Sequence, residues 1–197
     1  MGSGKSTAAD FLVESYQFTK LNFKDALDNE LMELYPNVLT HLAWNHNVEV
    51  AEEFLKRKPT VPVIRELKQK HGTNVRRNQD EDYWVKKWLD YYMGFTKDAQ
   101  ITVDDVRFPN EVDVIKRMGG IVVRIERDDV TDTGTHESET ALDNFEADYT
   151  IRAEKGDFGL LHMSLDSILE NKDDIGNREE DSDGSSAYAE YVEAEAK

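Results

Sequence analysis

Apolar residues recur along this chain in two rhythms, and each rhythm predicts a different kind of element. Spacings of three and four residues predict helices, whereas alternation at every second residue predicts strands. Helices are predicted over residues 6–15, 24–36, 48–58, 61–72, 80–94, 109–120, 138–145 and 158–170, and strands over 16–23, 99–106, 121–127 and 148–151. Residues 37–46 fit neither pattern. Strands that are separated by helices predict an α/β fold, in which helices flank a parallel sheet.

The 197 residues divide by composition into a body and a tail. Residues 1–170 carry the periodic apolar pattern and predict a single domain, within which residues 37–96 form a helical insert. Residues 171–197 are acidic, contain several serines and have few large apolar side chains. We therefore expect this tail to be disordered.

The formal net charge of −17 limits the class of partner. Binding to duplex DNA or RNA needs a basic surface, so we expect no nucleic-acid partner. No apolar run approaches the roughly 20 residues of a membrane span, the first residues do not resemble a signal peptide, and no cysteine is present to form a disulfide. These features predict a soluble cytoplasmic protein without a membrane partner, located in the host cytoplasm if the chain is viral.

The N-terminal stretch GSGKST is typical of the end of a phosphate-binding loop. Its residues are Gly2, Ser3, Gly4, Lys5, Ser6 and Thr7. Glycines let backbone N–H groups point into one concavity, and the helix that follows adds the positive end of its dipole. In such a loop Lys5 bridges the β- and γ-phosphates of ATP, and the Ser6 hydroxyl binds Mg²⁺. The alternative is a flexible glycine-rich segment before an ordinary helix.

The complete loop pattern, G-x-x-x-x-G-K-[ST], has an earlier glycine and follows a buried strand. Neither feature occurs in this sequence. In a P-loop fold that strand lies inside the sheet. We therefore expect a P-loop NTPase-type fold without its first strand, produced by a misplaced start site or by a genuine shortening of the product.

A second candidate site follows the strand that is predicted over 99–106. Asp104 and Asp105 come at its carboxyl end, where ligands gather in open α/β sheets. A carboxylate there can hold Mg²⁺ or accept a proton, and we assign this role to Asp105. Arg107 can clamp a phosphoryl group through two hydrogen bonds. The alternative is a strand cap with a surface ion pair.

Seven segments, in the same order, resemble the bacteriophage deoxynucleoside monophosphate kinases. They are GSGKSTAADFL, FTKLNFKDAL, HGTNVRRNQDEDYWVKKW, DVRFPNE, GGIVVRI, HESE and DYTI, and they extend over roughly residues 1–165. The resemblance implies an adenylate-kinase-like P-loop enzyme with a helical acceptor-binding insert and a small lid. It also implies transfer of the γ-phosphoryl group of ATP, with Mg²⁺, to a deoxynucleoside monophosphate (dNMP), giving the diphosphate for deoxynucleotide supply.

The same resemblance implies roles for residues on the donor side and at the acceptor phosphate. Residues 2–7 hold the donor phosphates, and Asp105 and Arg107 lie at the reacting centre. Arg77 grips the α-phosphate of the acceptor, and Arg76 is a less favoured substitute. Because the acceptor is itself a phosphate, the reaction needs no strong general base.

Further residues are implied at the acceptor base and in the lid. Trp84 and Tyr83 border the base, and Arg124 and Arg127 approach the phosphates from the lid side. The loop beyond them contributes His136 and Glu139. Asn74 departs from the family, since an acid is expected there, and this affects the contact with the sugar or the base.

Several of these features also have a purely structural interpretation. The aromatic residues of the helix over 80–94 are more typical of core packing, apart from Trp84, and HESE is more typical of a helix start than of a metal site. The chain could phosphorylate another acceptor, such as dephospho-coenzyme A, or bind nucleotides without catalysis. A homodimer is left open.

Overall fold

The computed structural model describes residues 4–57, 60–127, 141–142 and 145–175, the last four of these as backbone only. In chain order the elements are α1 (Lys5–Tyr16), β1 (Thr19–Lys20), α2 (Phe23–Leu34), α3 (Pro36–Asn45), α4 (Ala51–Lys56), α5 (Pro62–Gln69), α6 (Tyr83–Tyr92), β2 (Ile101–Thr102), α7 (Pro109–Arg117), β3 (Val123–Glu126), β4 (Tyr149–Arg152) and α8 (Phe158–Ile175). A π-helical segment, Lys70–Arg77, directly follows α5. The described part of the chain contains no helix long and apolar enough to span a membrane.

The chain forms two compact units. The first comprises Met1–Leu21 and Leu89–Lys197, and the second is the continuous segment Asn22–Trp88. All four described strands belong to the first unit. The predicted helical insert, residues 37–96, overlaps most of the second unit.

The four strands are parallel, as the sequence predicts, but they form two separate pairs within the described residues. β1 pairs with β2, and Thr19 lies opposite Ile101. β3 pairs with β4, and Val123 lies opposite Tyr149. The mixture of helices with parallel strands fits the predicted α/β class. A single P-loop-type sheet stays a prediction, because the described ladders amount to two two-stranded sheets.

The core of the first unit lies between the β3–β4 pair and the helices α1 and α8. Side chains alternate between the two faces of a strand, so one face of this pair is apolar and the other polar. The buried members of the core are Ala8, Ile151, Leu161, Leu165 and Ile168, with Phe11, Val123, Ile125 and Tyr149 packed against them. Burial of this apolar surface fixes α1 against the strands.

The second unit is helical and has a core of its own. Its buried residues are Leu31, Leu39, Ala43, Ala51, Phe54, Leu55 and Ile64. The structure resolves the ambiguous residues 37–46, because α3 begins at Pro36. Pro36 was predicted only to end the preceding helix, yet proline also suits the first turn of a helix, where its missing N–H costs no hydrogen bond.

Candidate functional site

The predicted phosphate loop ends in a left-handed turn at Gly4. Gly4 has φ 101° and ψ −1°, a conformation that glycine adopts without steric cost. Its carbonyl accepts the N–H of Ala8 at 2.9 Å, so α1 begins immediately after the turn. Lys5 is exposed at the first position of α1 and Ser6 is half-buried. The N–H groups of a first helical turn have no partner within the helix and suit an anion. Gly2 and Ser3 lie outside the described residues.

A lysine that the sequence analysis overlooked lies at the end of β1. The Lys20 ammonium contacts Asp10 on α1 at 2.5 Å and Asp104 at 3.3 Å. Burial lowers the pKa of Lys20, but the two carboxylates outweigh burial and leave the pKa raised. The Asp104 side chain is only 4% exposed. Lys20 therefore offsets the buried charge of one of the two aspartates that follow β2.

The second aspartate, Asp105, was predicted as a Mg²⁺ ligand together with Ser6. Asp105 is half-buried and comes three residues after β2. Magnesium commonly takes one or two protein oxygens and completes its shell with water and substrate phosphates. A hydroxyl and a carboxylate are suitable donors for such a site. The described residues contain no group of three or more acidic or histidine side chains arranged to hold a metal, so this assignment stays a prediction.

The segment that carries Arg107 is held by Glu111. One carboxylate oxygen of Glu111 accepts the backbone N–H of Arg107 at 2.7 Å and that of Phe108 at 3.1 Å. Glu111 is 3% exposed, and Pro109 occupies the first turn of α7. This is the glutamate-to-N-cap half of a capping box. The spacing from Phe108 to Glu111 was visible in the sequence and would have identified Glu111 as a structural residue.

Arg124, predicted to approach phosphates, makes contacts within the protein. Its Nη2 donates to the carbonyl of Leu142 at 2.9 Å and to that of Phe145. These bonds attach β3 to the segment before β4. The polar face of the β3–β4 pair lines a cavity of about 430 Å³, whose lining residues are Arg124, Glu126, Phe145, Glu146, Ala147, Thr150 and Arg152. Arg127 follows β3 and is half-buried, whereas His136 and Glu139 lie outside the described residues.

In the second unit, three side chains converge on the carboxylate of Glu30. His71 Nε2 lies 2.8 Å and Arg76 Nε 2.5 Å from Glu30 Oε1, and the Tyr83 hydroxyl lies 2.5 Å from Oε2. Burial raises the pKa of Glu30, but the three donors lower that pKa by more than burial raises it. The pKa of Glu30 is therefore below its ordinary value. Burial and the bond to Glu30 raise the pKa of Tyr83 to about 12. We call Glu30, His71, Arg76 and Tyr83 the Glu30 cluster.

The two neighbouring arginines of the π-helical segment have different surroundings. Arg76 is bound to Glu30, and its guanidinium lies 5.0 Å from the centre of the Tyr83 ring. Arg77 Nη1 donates to the carbonyl of Glu81 at 3.0 Å. Both arginines therefore have partners within the protein, and the assignment of Arg77 to the acceptor phosphate stays a prediction.

Trp84 lies in the core of the second unit. It is 4% exposed, and its Nε1 donates to the carbonyl of Gly72 at 3.0 Å. Almost none of the indole surface is open to a ligand, so the structure gives no support to the base-bordering role predicted for Trp84. Its position agrees instead with the core packing predicted for the rest of the aromatic residues on this helix.

These features describe an α/β protein. Its first helix begins directly after a glycine turn and precedes β1, and buried carboxylates follow β2. A sequence model of the deoxynucleotide monophosphate kinase family matches residues 39–165, and the chain belongs to that family. A protein of Acanthamoeba polyphaga mimivirus, named "Putative deoxynucleotide monophosphate kinase", is 28% identical over 152 residues, which are 72% of this chain and 77% of the mimivirus protein. The predicted class, a phosphotransferase of deoxynucleotide metabolism, is confirmed at this level. The bacteriophage origin stays a prediction.

The family match covers only part of the predicted site. It includes Arg77, Asp105, Arg107 and Arg124, whereas Lys5 precedes its first residue. The assignment of the phosphate loop therefore depends on the GSGKST sequence and on the conformation of Gly4 rather than on that match.

Proposed function

We propose that the chain transfers the γ-phosphoryl group of ATP to a deoxynucleoside monophosphate and releases ADP and the deoxynucleoside diphosphate. The observation that carries this proposal is the family match over residues 39–165. The left-handed turn at Gly4, directly before α1, supports ATP as the donor. An exposed lysine follows that turn at the position where phosphate loops have theirs.

On the donor side, backbone N–H groups at the start of α1 bind the β-phosphate, and the Lys5 ammonium bridges the β- and γ-phosphates. The Ser6 hydroxyl and the Asp105 carboxylate are the groups that would hold Mg²⁺. When bound, the ion neutralises phosphate charge that would otherwise repel the incoming nucleophile. Lys20 keeps the neighbouring Asp104 paired inside the protein, which reduces the negative charge near the donor phosphates.

On the acceptor side, Arg77 binds the α-phosphate of the dNMP. An oxygen of that phosphate attacks the γ-phosphorus of ATP, and the bond from the γ-phosphorus to its bridging oxygen breaks. The guanidinium of Arg107 binds the equatorial oxygens of the transferred group, and Arg127, directly after β3, adds positive charge near the phosphates. Arg124 keeps its bonds to the carbonyls of Leu142 and Phe145 and contributes through its charge. Placement and charge cancellation supply most of the rate enhancement in such reactions.

The test is an assay of ADP formation from ATP, Mg²⁺ and each of the four dNMPs. Lys5→Ala is the matched variant, since Lys5 is exposed and its loss should not unfold the chain. We expect turnover with at least one dNMP, and its loss in Lys5→Ala at an unchanged melting temperature. A second chain, extended upstream by a strand and the earlier loop glycine, is assayed in parallel.

Each outcome has a distinct meaning. Turnover only in the extended chain retains the kinase assignment and makes the upstream strand necessary for catalysis. Turnover with dephospho-coenzyme A but with no dNMP would show that a dNMP is not the acceptor. If neither folded chain forms ADP and neither is stabilised by ATP with Mg²⁺, the proposal is refuted. Equal rates in Lys5→Ala and the original chain would remove Lys5 from the site.

A further inference from the structure

Both oxygens of the Glu30 carboxylate accept hydrogen bonds from the protein itself. Oε1 accepts from His71 and Arg76, and Oε2 accepts from Tyr83. A carboxylate cannot donate, so His71 Nε2 carries the proton in this contact. The Glu30 side chain is 12% exposed. Since both oxygens are engaged and the side chain is mostly buried, we attribute the effect of Glu30 to the groups that it holds.

Two of those groups lie near opposite ends of the π-helical segment. His71 is its second residue and Arg76 its seventh, and both reach the same oxygen of Glu30. π-Helices are rare and occur often at functional sites. Glu30, on α2, therefore holds this segment near both of its ends, and we call these two contacts the clamp.

Packing at Gly72 restricts the segment further. A Cβ atom at Gly72 would lie 3.2 Å from a methyl group of Leu27, closer than ordinary packing, and the Gly72 carbonyl accepts the Trp84 indole N–H. The segment is consequently fixed against α2 and α6 by both polar and apolar contacts.

Fixing Arg76 also fixes the direction of Arg77. Adjacent residues of a helix project to different sides, so a helix that presents Arg76 to Glu30 presents Arg77 elsewhere, and Arg77 donates to the carbonyl of Glu81. The depressed pKa of Glu30 keeps the carboxylate charged at neutral pH, and the clamp is therefore maintained there.

We propose that Glu30 is a positioning residue for the acceptor. By holding the segment Lys70–Arg77 in one register, it sets Arg77 for the α-phosphate of the dNMP. This inference rests on the proposed function, because it assigns Glu30 to the binding of that function's acceptor. Loss of the clamp should weaken dNMP binding and leave the ATP site, in the first unit, unaffected.

The test compares Glu30→Gln with Asp28→Asn. Both acids lie on α2, and the Asp28 side chain, 3% exposed, pairs with Lys68 of α5 at 2.7 Å. Both changes remove a charge from a paired carboxylate in the second unit, but only Glu30 contacts the π-helical segment directly. The measurements are KM for dNMP and for ATP, the melting temperature, and dNMP binding by calorimetry without ATP.

We expect Glu30→Gln to raise the KM and the Kd for dNMP about tenfold, the effect of misaligning one charge-assisted hydrogen bond to phosphate. The KM for ATP should stay within about twofold of the original, on the same reasoning that the donor is bound by other residues. Asp28→Asn should lower the melting temperature without raising the KM for dNMP. Tyr83→Phe, which removes one of the three donors, should give an intermediate rise.

Equal effects of Glu30→Gln and Asp28→Asn on the two KM values would reduce Glu30 to a stabilising residue and overturn the inference. An unchanged Kd for dNMP in Glu30→Gln would overturn it as well, while the original chain's turnover would leave the kinase assignment intact. A folded original chain that neither binds nor phosphorylates any dNMP would instead refute the proposed function, and the positioning role with it.

Discussion

Replacement of Gly4 by alanine isolates the contribution of the left-handed turn before α1. A Cβ atom at Gly4 would lie 3.6 Å from Ile125 and 3.9 Å from Leu161, which are ordinary contact distances. The cost must therefore come from the backbone, since φ is 101° there. A residue with a Cβ in left-handed geometry costs about 1–2 kcal/mol. For a chain of this length that cost should lower the melting temperature by about 2–8 °C.

Gly156 supplies a matched control in the same unit. It has φ 86°, and a Cβ atom built there meets nothing within 4 Å. Gly156→Ala should therefore lose a similar amount of stability, because the backbone cost is of the same kind. Only Gly4→Ala should also raise the Kd for ATP with Mg²⁺, by about tenfold or more, since the altered turn redirects the N–H groups that we propose bind phosphate.

The assays are thermal unfolding and calorimetric titration with ATP and Mg²⁺ for both variants. If Gly4→Ala loses stability as expected but binds ATP like Gly156→Ala, the turn is not part of a phosphate site. If Gly4→Ala keeps the original melting temperature, the reasoning on its backbone conformation is itself refuted.

Three further predictions concern the second unit. Arg77→Ala should raise the KM for dNMP far more than the KM for ATP in steady-state kinetics, and equal effects on both would remove Arg77 from the acceptor site. Trp84→Phe should lower the free energy of unfolding by about 1–3 kcal/mol in denaturant melts, because the Gly72 carbonyl loses its indole donor; a neutral result would contradict the assigned contact. The pKa of Glu30 is lowered from 4.5, so the stability it contributes is present above pH 4.5 and is lost as the pH falls below that value. Glu30→Gln should therefore flatten the acid part of a plot of unfolding free energy against pH, and an unchanged slope would show that Glu30 is not perturbed by folding.

Local sequence patterns predicted the positions of most elements in the first unit. α1 begins at Lys5, one residue before the start predicted from the sequence, and Pro109 marks the start of α7, as expected. The strands predicted over 16–23 and 99–106 are in the right places, but each contributes only two residues to the observed ladder. Alternation indicates which side chains share a face, whereas the length of a ladder depends on how far the partner strand runs alongside.

Contacts between distant residues account for what the sequence could not show. The bond from Glu30 to Arg76 joins residues 46 positions apart, and that from Lys20 to Asp104 joins residues 84 apart. Arg76 was predicted, from the family resemblance, only as a less favoured ligand for the acceptor phosphate, and its bond to Glu30 could not be seen from local spacing. The resemblance likewise implied that Trp84 borders the acceptor base, because the spacing of aromatic residues on a helix does not show whether one of them is buried.

Because Glu111 binds backbone atoms of its segment, the side chain of residue 107 can be changed without disturbing the fold there. Glu111 binds the backbone of Arg107 and Phe108, so the path of the chain there does not depend on which side chain residue 107 carries. Under the role proposed for Arg107, an uncharged residue of similar length at that position should leave the protein folded and both nucleotides bound while greatly slowing the transfer. Such a chain would serve as a trap with which the natural substrates can be captured and identified.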